Sequence, residues 1–217
     1  MTDMPGFGIL CAGKSVAELA RSVQCGSTVT ALLKQSGYEP SGYHTALLSR
    51  NDKDKLRLCR DKLYHLTQTA DLVVTVGGDG FSRDDVIPEL TAALCEKEAV
   101  FFSLHLSGAG SIGNYEQNHL KKREHKQNKC AFSPSASRAG CCGSCLILNI
   151  RNDEAFIETV LPTILPSVSF AVAGISGKDP EESLRVKEDF ASLYFPEKRE
   201  RFSLQKGTFH FNSKITP

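Results

Sequence analysis

One short stretch constrains the fold more than any other, because an apolar run leads directly into a glycine-rich turn. Residues Leu72–Val76 are apolar or β-branched throughout, which predicts a buried strand of a parallel sheet. Gly77, Gly78 and Gly80 follow at once, with Asp79 between them. Glycine tolerates positive φ and lets a ligand approach the backbone closely, so we predict a sharp turn with accessible amides.

The residues after this turn predict the start of a helix. Asp84 and Asp85 have side chains that commonly cap helix N-termini, and residues 86–98 have helical character. A strand, a glycine-rich turn and a helix N-terminus together predict a phosphate-binding site at the carboxyl edge of an α/β sheet. The alternative interpretation is an ordinary tight turn between a strand and a helix.

The remaining chain alternates between strand and helix patterns. Strands are predicted at residues 7–12, 43–48 and 145–150, and helices at 16–37, 52–66 and 154–161. Residues 99–106 are apolar and bulky, and they fit either a strand or a buried continuation of the preceding helix. Cys25-Gly26 is a candidate helix break, and Pro162 is expected to bend or stop the helix that contains it.

This alternation predicts an α/β fold of three layers. It implies βαβ units in one doubly wound, mainly parallel sheet with helices on both faces and residues 72–76 in a central strand. The 217 residues are enough for one sizeable domain, which we place at residues 1–176, followed by a charged tail at 177–217. Within the domain, residues 107–132 are predicted to form an exposed loop or insertion. Its basic run, residues 121–129, carries five Lys or Arg without an apolar face and is expected to be exposed and mobile.

Charge and cysteine content narrow the functional classes. The formal net charge of +1 argues against a nucleic-acid or other general polyanion binder. No signal peptide and no apolar run long enough to span a bilayer is apparent, so a cytoplasmic protein without a membrane span is expected. The eight cysteines are then expected to be reduced. Cys142-Gly-Ser-Cys145 has the spacing of a redox or half-zinc motif, but no second pair accompanies it, and packed structural thiols are favoured.

Residues 75–89 resemble the T-x-G-G-T-G-F-x-P-R-D-V-T-P-E signature of the molybdopterin-binding domain. That domain occurs in molybdopterin adenylyltransferases and in the N-terminal domain of gephyrin. Residues 137–149 resemble the S-R-x-x-x-G-x-x-G-x-x-L-I-x-N segment of the same family, and residues 160–166 resemble its late helix ending in L-P. The resemblance covers about residues 8–177.

The resemblance implies a concrete reaction. Family members use ATP and Mg²⁺ to adenylylate molybdopterin, whose terminal phosphate attacks the α-phosphorus of ATP and releases pyrophosphate, and they are usually trimers. Asp85 aligns with the essential aspartate of the family, which makes it the expected catalytic residue and metal ligand, with Asp84 beside it as a second catalytic candidate. The residues expected to contact the cofactor and substrate are Gly77, Gly78, Asp79, Gly80, Ser82, Arg83, Ser137 and Arg138.

Departures from the family pattern keep two other functions open. Asp79 replaces the threonine of G-G-T-G, Arg83-Asp84 replaces Pro-Arg, and Ala12-Gly13-Lys14 replaces the S-D-R after the first strand. An intact apolar frame with altered pocket loops fits a catalytically impaired protein of the same fold that acts as a trimeric binding or scaffold module. The string Gly77-Gly-Asp-Gly80 also matches the G-G-D-G of NAD kinases and diacylglycerol-type lipid kinases.

Overall fold

The computed structural model describes residues 4–107 and 135–177. The described strands are β1 (Gly6–Gly13), β2 (Glu39–Leu47), β3 (Leu72–Val76), β4 (Lys97–Glu98), β5 (Ala139–Cys142) and β6 (Cys145–Ile150). The described helices are α1 (Val16–Gln35), α2 (Lys53–Thr69), α3 (Ile87–Leu94), α4 (Val100–Leu106) and α5 (Glu154–Ile175). The basic run at 121–129 lies outside the described residues, as do the predicted insertion and the predicted tail except for the first residue of each.

The six strands form one sheet in the order β2-β1-β3-β6-β5-β4. Strands β2, β1, β3 and β6 are mutually parallel, whereas β5 runs antiparallel to both of its neighbours. All five residues of β3 are buried, as an apolar strand covered on both faces requires. The prediction of a mainly parallel sheet with residues 72–76 inside it is confirmed.

Helices cover both faces of the sheet because alternate side chains of each strand point in opposite directions. On one face, Leu72, Val74 and Val76 of β3 pack in a core with residues of α1, α4 and α5. On the other face, Val73 joins a smaller core with residues of α2 and α3. The three-layer arrangement predicted from the sequence is therefore confirmed.

Helix α1 runs through Cys25-Gly26 without interruption, so the candidate break is wrong. A Cβ atom placed on Gly26 would lie 2.6 Å from Cys11 Sγ and 3.1 Å from the Tyr43 hydroxyl. The glycine therefore allows the helix to lie close against β1 and β2. Its contribution to packing outweighs the loss of about 1 kcal/mol that glycine causes inside a helix.

The segment after the glycine turn also differs from its prediction. Helix α3 ends at Leu94 instead of continuing to Glu98, because Lys97–Glu98 pairs with β5 as the short strand β4. The apolar residues that follow form a separate helix, α4. Neither Asp84 nor Asp85 caps α3; the N-cap residue is Val86, which makes no side-chain cap bond.

Helix α5 passes through Pro162 and Pro166, so the expected stop at Pro162 is wrong. Eight apolar side chains of this helix are buried, at a spacing that gives one continuous face. Burial of each of these side chains contributes about 1.5–3 kcal/mol to stability. Together they outweigh the cost of about 3 kcal/mol for each of the two interior prolines. By length and composition alone, α5 is long and apolar enough to cross a membrane, whereas the sequence analysis expected no membrane-spanning segment. Buried core helices of soluble proteins pass the same test.

The seven described cysteines are free thiols, as predicted, and Cys130 lies outside the described residues. Cys142 and Cys145 face each other across the β5–β6 turn, where Gly143 adopts a φ of 56°. Burial raises the pKa of Cys11 and of Cys59 to about 11. These thiols therefore stay protonated at neutral pH and act as packing groups.

Candidate functional site

A cavity of about 570 Å³ opens at the carboxyl ends of β1, β3 and β6. The chain leaves β1 for a helix on one face of the sheet and leaves β3 for a helix on the other face. A crevice therefore forms where these two strands lie side by side, which is the usual ligand site of doubly wound sheets. The glycine turn forms one wall of this crevice, at the sheet edge where the sequence predicts a phosphate site.

The turn after β3 is formed by two glycines in the left-handed region, Gly77 with φ of 80° and Gly78 with φ of 71°. A Cβ atom on Gly77 would collide with Ser22 Oγ and would lie 2.6 Å from the Ala12 carbonyl oxygen. The Gly78 carbonyl accepts a hydrogen bond of 3.1 Å from the Ile87 amide at the start of α3. Backbone conformation and close packing therefore both require glycine in this turn.

Asp79 joins the turn to residues 135–138, which lead into β5. The residue is 5% exposed, and its carboxylate accepts hydrogen bonds from the hydroxyls of Ser135 and of Ser137, the latter at 2.8 Å. Its carbonyl oxygen also accepts a bond of 2.8 Å from the Ala136 amide. Asp79 and Ser135 both line the cavity, so this cluster fixes one side of it.

Asp85 lies beside a lysine at the edge of the cavity. Its Oδ2 atom accepts a hydrogen bond of 3.0 Å from the Ser82 amide and lies 3.5 Å from Lys14 Nζ. Asp84 faces elsewhere, and its Oδ1 accepts a bond of 2.7 Å from the Arg50 amide. These two backbone contacts explain why neither carboxylate caps α3.

The N-terminal ends of two long helices contribute to the same cavity. Ser15 caps α1 and accepts a bond of 3.2 Å from the Glu18 amide, while Asp153 caps α5 and accepts one of 3.1 Å from the Phe156 amide. Gly13 and Asn152, just before these caps, line the cavity. The positive ends of both helix dipoles favour an anion at this edge.

The charges around the cavity are mixed. Among residues 4–107 and 135–177, the basic side chains that line it are Lys14, Arg21 and Arg151, and the acidic ones are Glu18, Asp79, Asp85, Asp153 and Glu154. The guanidinium of Arg151 lies 4.0 Å from the centre of the Phe156 ring, and its Nη2 donates a 3.2 Å bond to the Ser107 carbonyl. Because acids outnumber bases, a polyanionic ligand requires further positive charge at this site.

Cys25 also lies on the cavity wall. Burial, with Glu154 and Asp153 nearby, raises the pKa of its thiol. The thiol is therefore protonated at neutral pH and does not serve as a nucleophile there.

The structure brings only part of the predicted site together. Gly78, Asp79, Gly80 and Asp85 line the cavity, and Gly77 lies directly behind them against Ser22. Ser137 reaches the site through its bond to Asp79. The other candidates, Ser82, Arg83, Asp84 and Arg138, are not among the lining residues.

The candidates outside the lining have identifiable surroundings. Arg138 lies 3.4 Å from Glu98 Oε1 in an ion pair near β4, and Arg83 is exposed. Conversely, the site prediction did not include the lining residues Lys14 and Arg151. Both directly follow a parallel strand, β1 and β6 respectively, and the rule that ligands bind beyond the carboxyl ends of such strands was the signal for them.

The described side chains do not by themselves form a complete metal-binding site. Among residues 4–107 and 135–177, no three His, Cys, Asp or Glu side chains are grouped so that they could hold a metal ion. Mg²⁺ commonly takes only one or two carboxylates and completes its shell with water and substrate phosphates. Asp85, whose side chain is 11% exposed at the cavity edge, fits that limited role.

Comparison with known proteins agrees with this fold. The family model described as a probable molybdopterin binding domain matches residues 8–144. The chain belongs to that family, and the resemblance found in the sequence is confirmed.

Solved structures with the same fold include three from cofactor biosynthesis. Molybdenum cofactor biosynthesis protein B is 19% identical, with a TM-score of 0.59 over 81% of this chain and 98% of that one. The molybdopterin biosynthesis enzyme MoaB from Thermus thermophilus is 23% identical, with a TM-score of 0.57 over 81% and 98%. The tungsten cofactor synthesizing protein MoaB from Pyrococcus furiosus is 18% identical, with a TM-score of 0.58 over 81% and 99%.

Proposed function

We propose that this chain binds molybdopterin in the cavity between β1 and β3 and catalyses its adenylylation by ATP in the presence of Mg²⁺. The observation that carries the proposal is the turn at Gly77 and Gly78, which lies at the carboxyl edge of the sheet in a chain of the molybdopterin-binding family. The names of the structural neighbours, which are molybdenum and tungsten cofactor proteins, support the same class of substrate.

The proposed reaction brings two polyanions together. A phosphate oxygen of molybdopterin forms a bond to the α-phosphorus of ATP, and the bond from that phosphorus to the leaving pyrophosphate breaks. Mg²⁺, when bound, supplies positive charge to the phosphates. In this chain Asp85 would hold the metal, Lys14 and Arg21 would add positive charge, and the helix N-termini would orient the phosphates.

Titration calorimetry of the purified chain against molybdopterin, with and without Mg²⁺ and ATP, tests the proposal. We expect molybdopterin to bind, and pyrophosphate to be released only when ATP, Mg²⁺ and molybdopterin are all present. Production of ADP in place of pyrophosphate would support the kinase alternative. Absence of both molybdopterin binding and ATP turnover would contradict the proposal.

The substitution Asp85→Asn is expected to weaken Mg²⁺-dependent nucleotide binding by about tenfold or more, or about 1.4 kcal/mol. The amide keeps an oxygen that accepts from the Ser82 amide, so the thermal unfolding midpoint should change little. Asp84→Asn is the matched comparison, because Asp84 is also an acid of the same turn but does not line the cavity. Equal nucleotide affinity in wild type and Asp85→Asn would remove Asp85 from the proposed metal site.

A second candidate function is favoured by the charge distribution. Asp85 is already paired with Lys14, and acidic side chains outnumber basic ones among the described residues that line the cavity. Both features oppose the binding of a polyanion and fit a non-catalytic trimeric module that acts by binding a protein partner. A stable trimer that neither binds molybdopterin nor turns over nucleotide would favour this second function.

We also propose that the chain assembles as a trimer, which rests on the family to which it belongs. Sedimentation velocity at micromolar concentration is expected to give one species of three times the 23.7 kDa chain mass. A monomer under those conditions would contradict this proposal.

A further inference from the structure

Lys14 forms an ion pair with Asp85, the residue whose carboxylate is proposed to bind the metal. Its ammonium lies 3.5 Å from Asp85 Oδ2 and 3.7 Å from Glu18 Oε1, so it contacts two carboxylates at once. The Lys14 backbone amide also donates a 3.2 Å bond to Glu18 Oε2, which places that second carboxylate directly beside the lysine. The side chain of Asp85 is only 11% exposed, and that of Lys14 is 36% exposed.

We propose that Lys14 is the resident cation of Asp85 and competes with a divalent metal for that carboxylate. In the absence of metal the ammonium neutralises Asp85. When a divalent cation binds, the ammonium moves away from Asp85 and keeps Glu18 as its partner. This inference rests on the proposed function only in taking Asp85 as the metal ligand. The residue at position 14 would then determine how tightly the metal binds.

Competition follows from the charges and the shared oxygen. An ammonium and a divalent cation repel each other, and both are attracted to the Asp85 carboxylate. Mg²⁺ demands near-ideal geometry and gives up its water reluctantly, so a carboxylate that is already neutralised is a poor ligand for it. The flexible four-carbon stem of lysine lets the ammonium remain near Glu18 when it leaves Asp85, without a change in the backbone.

Arg21 allows the effect of this contact to be separated from the overall charge of the cavity. It lines the same cavity and carries the same charge as Lys14, but within the described residues it makes no ion pair with Asp85. Removing either cation makes the cavity more negative by one charge. Only removal of Lys14 also frees the Asp85 carboxylate.

The test is a titration of the full chain with Mn²⁺, a divalent cation that is visible by electron paramagnetic resonance. The signal of the free ion measures how much Mn²⁺ remains unbound. Nucleotide and molybdopterin are left out. We expect Lys14→Met and Lys14→Gln to bind Mn²⁺ at least about tenfold more tightly than wild type, or about 1.4 kcal/mol. Lys14→Arg, which keeps the charge, should remain as weak as wild type. Arg21→Met should tighten binding by no more than about threefold, because exposed charges in water interact weakly.

Two further variants complete the design. Adding Asp85→Asn to Lys14→Met should abolish the gain, since the freed carboxylate is then gone. Lys55→Met removes an exposed lysine that pairs with Asp52 at 3.4 Å, outside the cavity, and it should leave Mn²⁺ affinity unchanged. Circular dichroism melting curves of all variants show whether each remains folded.

Several results would overturn the inference. These are unchanged or undetectable Mn²⁺ binding in both Lys14→Met and Lys14→Gln, an equal gain in Arg21→Met, or a gain that survives Asp85→Asn. Because no substrate is present, the expected gain would stand even if the chain proved unable to adenylylate molybdopterin. Conversely, Mg²⁺-dependent adenylylation without any gain in the Lys14 variants would remove the role of Lys14 alone.

Discussion

Gly77→Ala is expected to lower the free energy of unfolding by about 2 to 5 kcal/mol. The left-handed backbone at this position costs a residue with a Cβ atom about 1–2 kcal/mol. The new methyl group would also collide with the Ser22 hydroxyl and the Ala12 carbonyl, and such overpacking costs about 1–3 kcal/mol. Against a typical total of about 5–15 kcal/mol, the variant would be marginally stable.

Urea denaturation followed by circular dichroism measures this loss, and Gly143→Ala is its matched control. Gly143 also adopts positive φ, at 56°, but a Cβ atom there meets nothing within 4 Å. Its substitution should therefore cost only the backbone contribution of about 1–2 kcal/mol. Equal losses at the two positions would show that the contact of the turn with Ser22 and Ala12 does not constrain the fold.

Asp79→Ala is expected to lower the free energy of unfolding by about 2 to 4 kcal/mol. The substitution removes a nearly buried carboxylate that accepts hydrogen bonds from the hydroxyls of Ser135 and Ser137. A bond to a charged group contributes about 1.5–3 kcal/mol, and partly buried donors that lose their acceptor add a desolvation cost. Residues 135–137 would lose their side-chain attachment to the glycine turn.

Asp79→Asn provides the comparison, because its amide oxygen can still accept from one or both hydroxyls. We expect Asp79→Asn to lose less than half as much stability as Asp79→Ala loses, as measured by the urea midpoint. Ser137→Ala removes one of the two donors and should fall between wild type and Asp79→Ala. A variant Asp79→Ala as stable as wild type would mean that the carboxylate contributes nothing to holding this wall.

The main strands and helices of this protein are predictable from the sequence because the residue patterns that specify them are local. Strand β3 is an apolar run followed by glycine, and α2 has an apolar face at helical spacing; both appear where they were predicted, with α2 extended to Thr69. The errors arise where tertiary contacts decide. Gly26 and Pro162 are helix breakers by propensity, yet tight packing against β1 and burial on the sheet keep both helices continuous.

The candidate site was predicted only in part, since its chemistry depends on chain segments that meet only in three dimensions. The glycine turn carries a recognisable pattern, but the partners of Asp79 are more than fifty residues away in sequence. The pairing of Asp85 with Lys14 likewise joins the loop before α3 to the residue that follows β1, and no sequence spacing indicates it. The carboxyl ends of β1, β3 and β6 were predicted to within one residue, whereas β4, β5 and the contacts between the strand ends were not.

The order of strands in the sheet has a consequence for synthesis on the ribosome. Strand β3 pairs on one side with β1 and on the other with β6, whose residue Leu146 is the partner of Leu72, 74 positions earlier. At a translation rate of about 5–20 residues per second, roughly 4 to 15 s pass between the appearance of the two strands. Until β6 emerges, the apolar β3 is an open sheet edge, the arrangement that invites pairing with another chain. Nascent molecules of this protein are therefore most exposed to aggregation before residue 150 has been made.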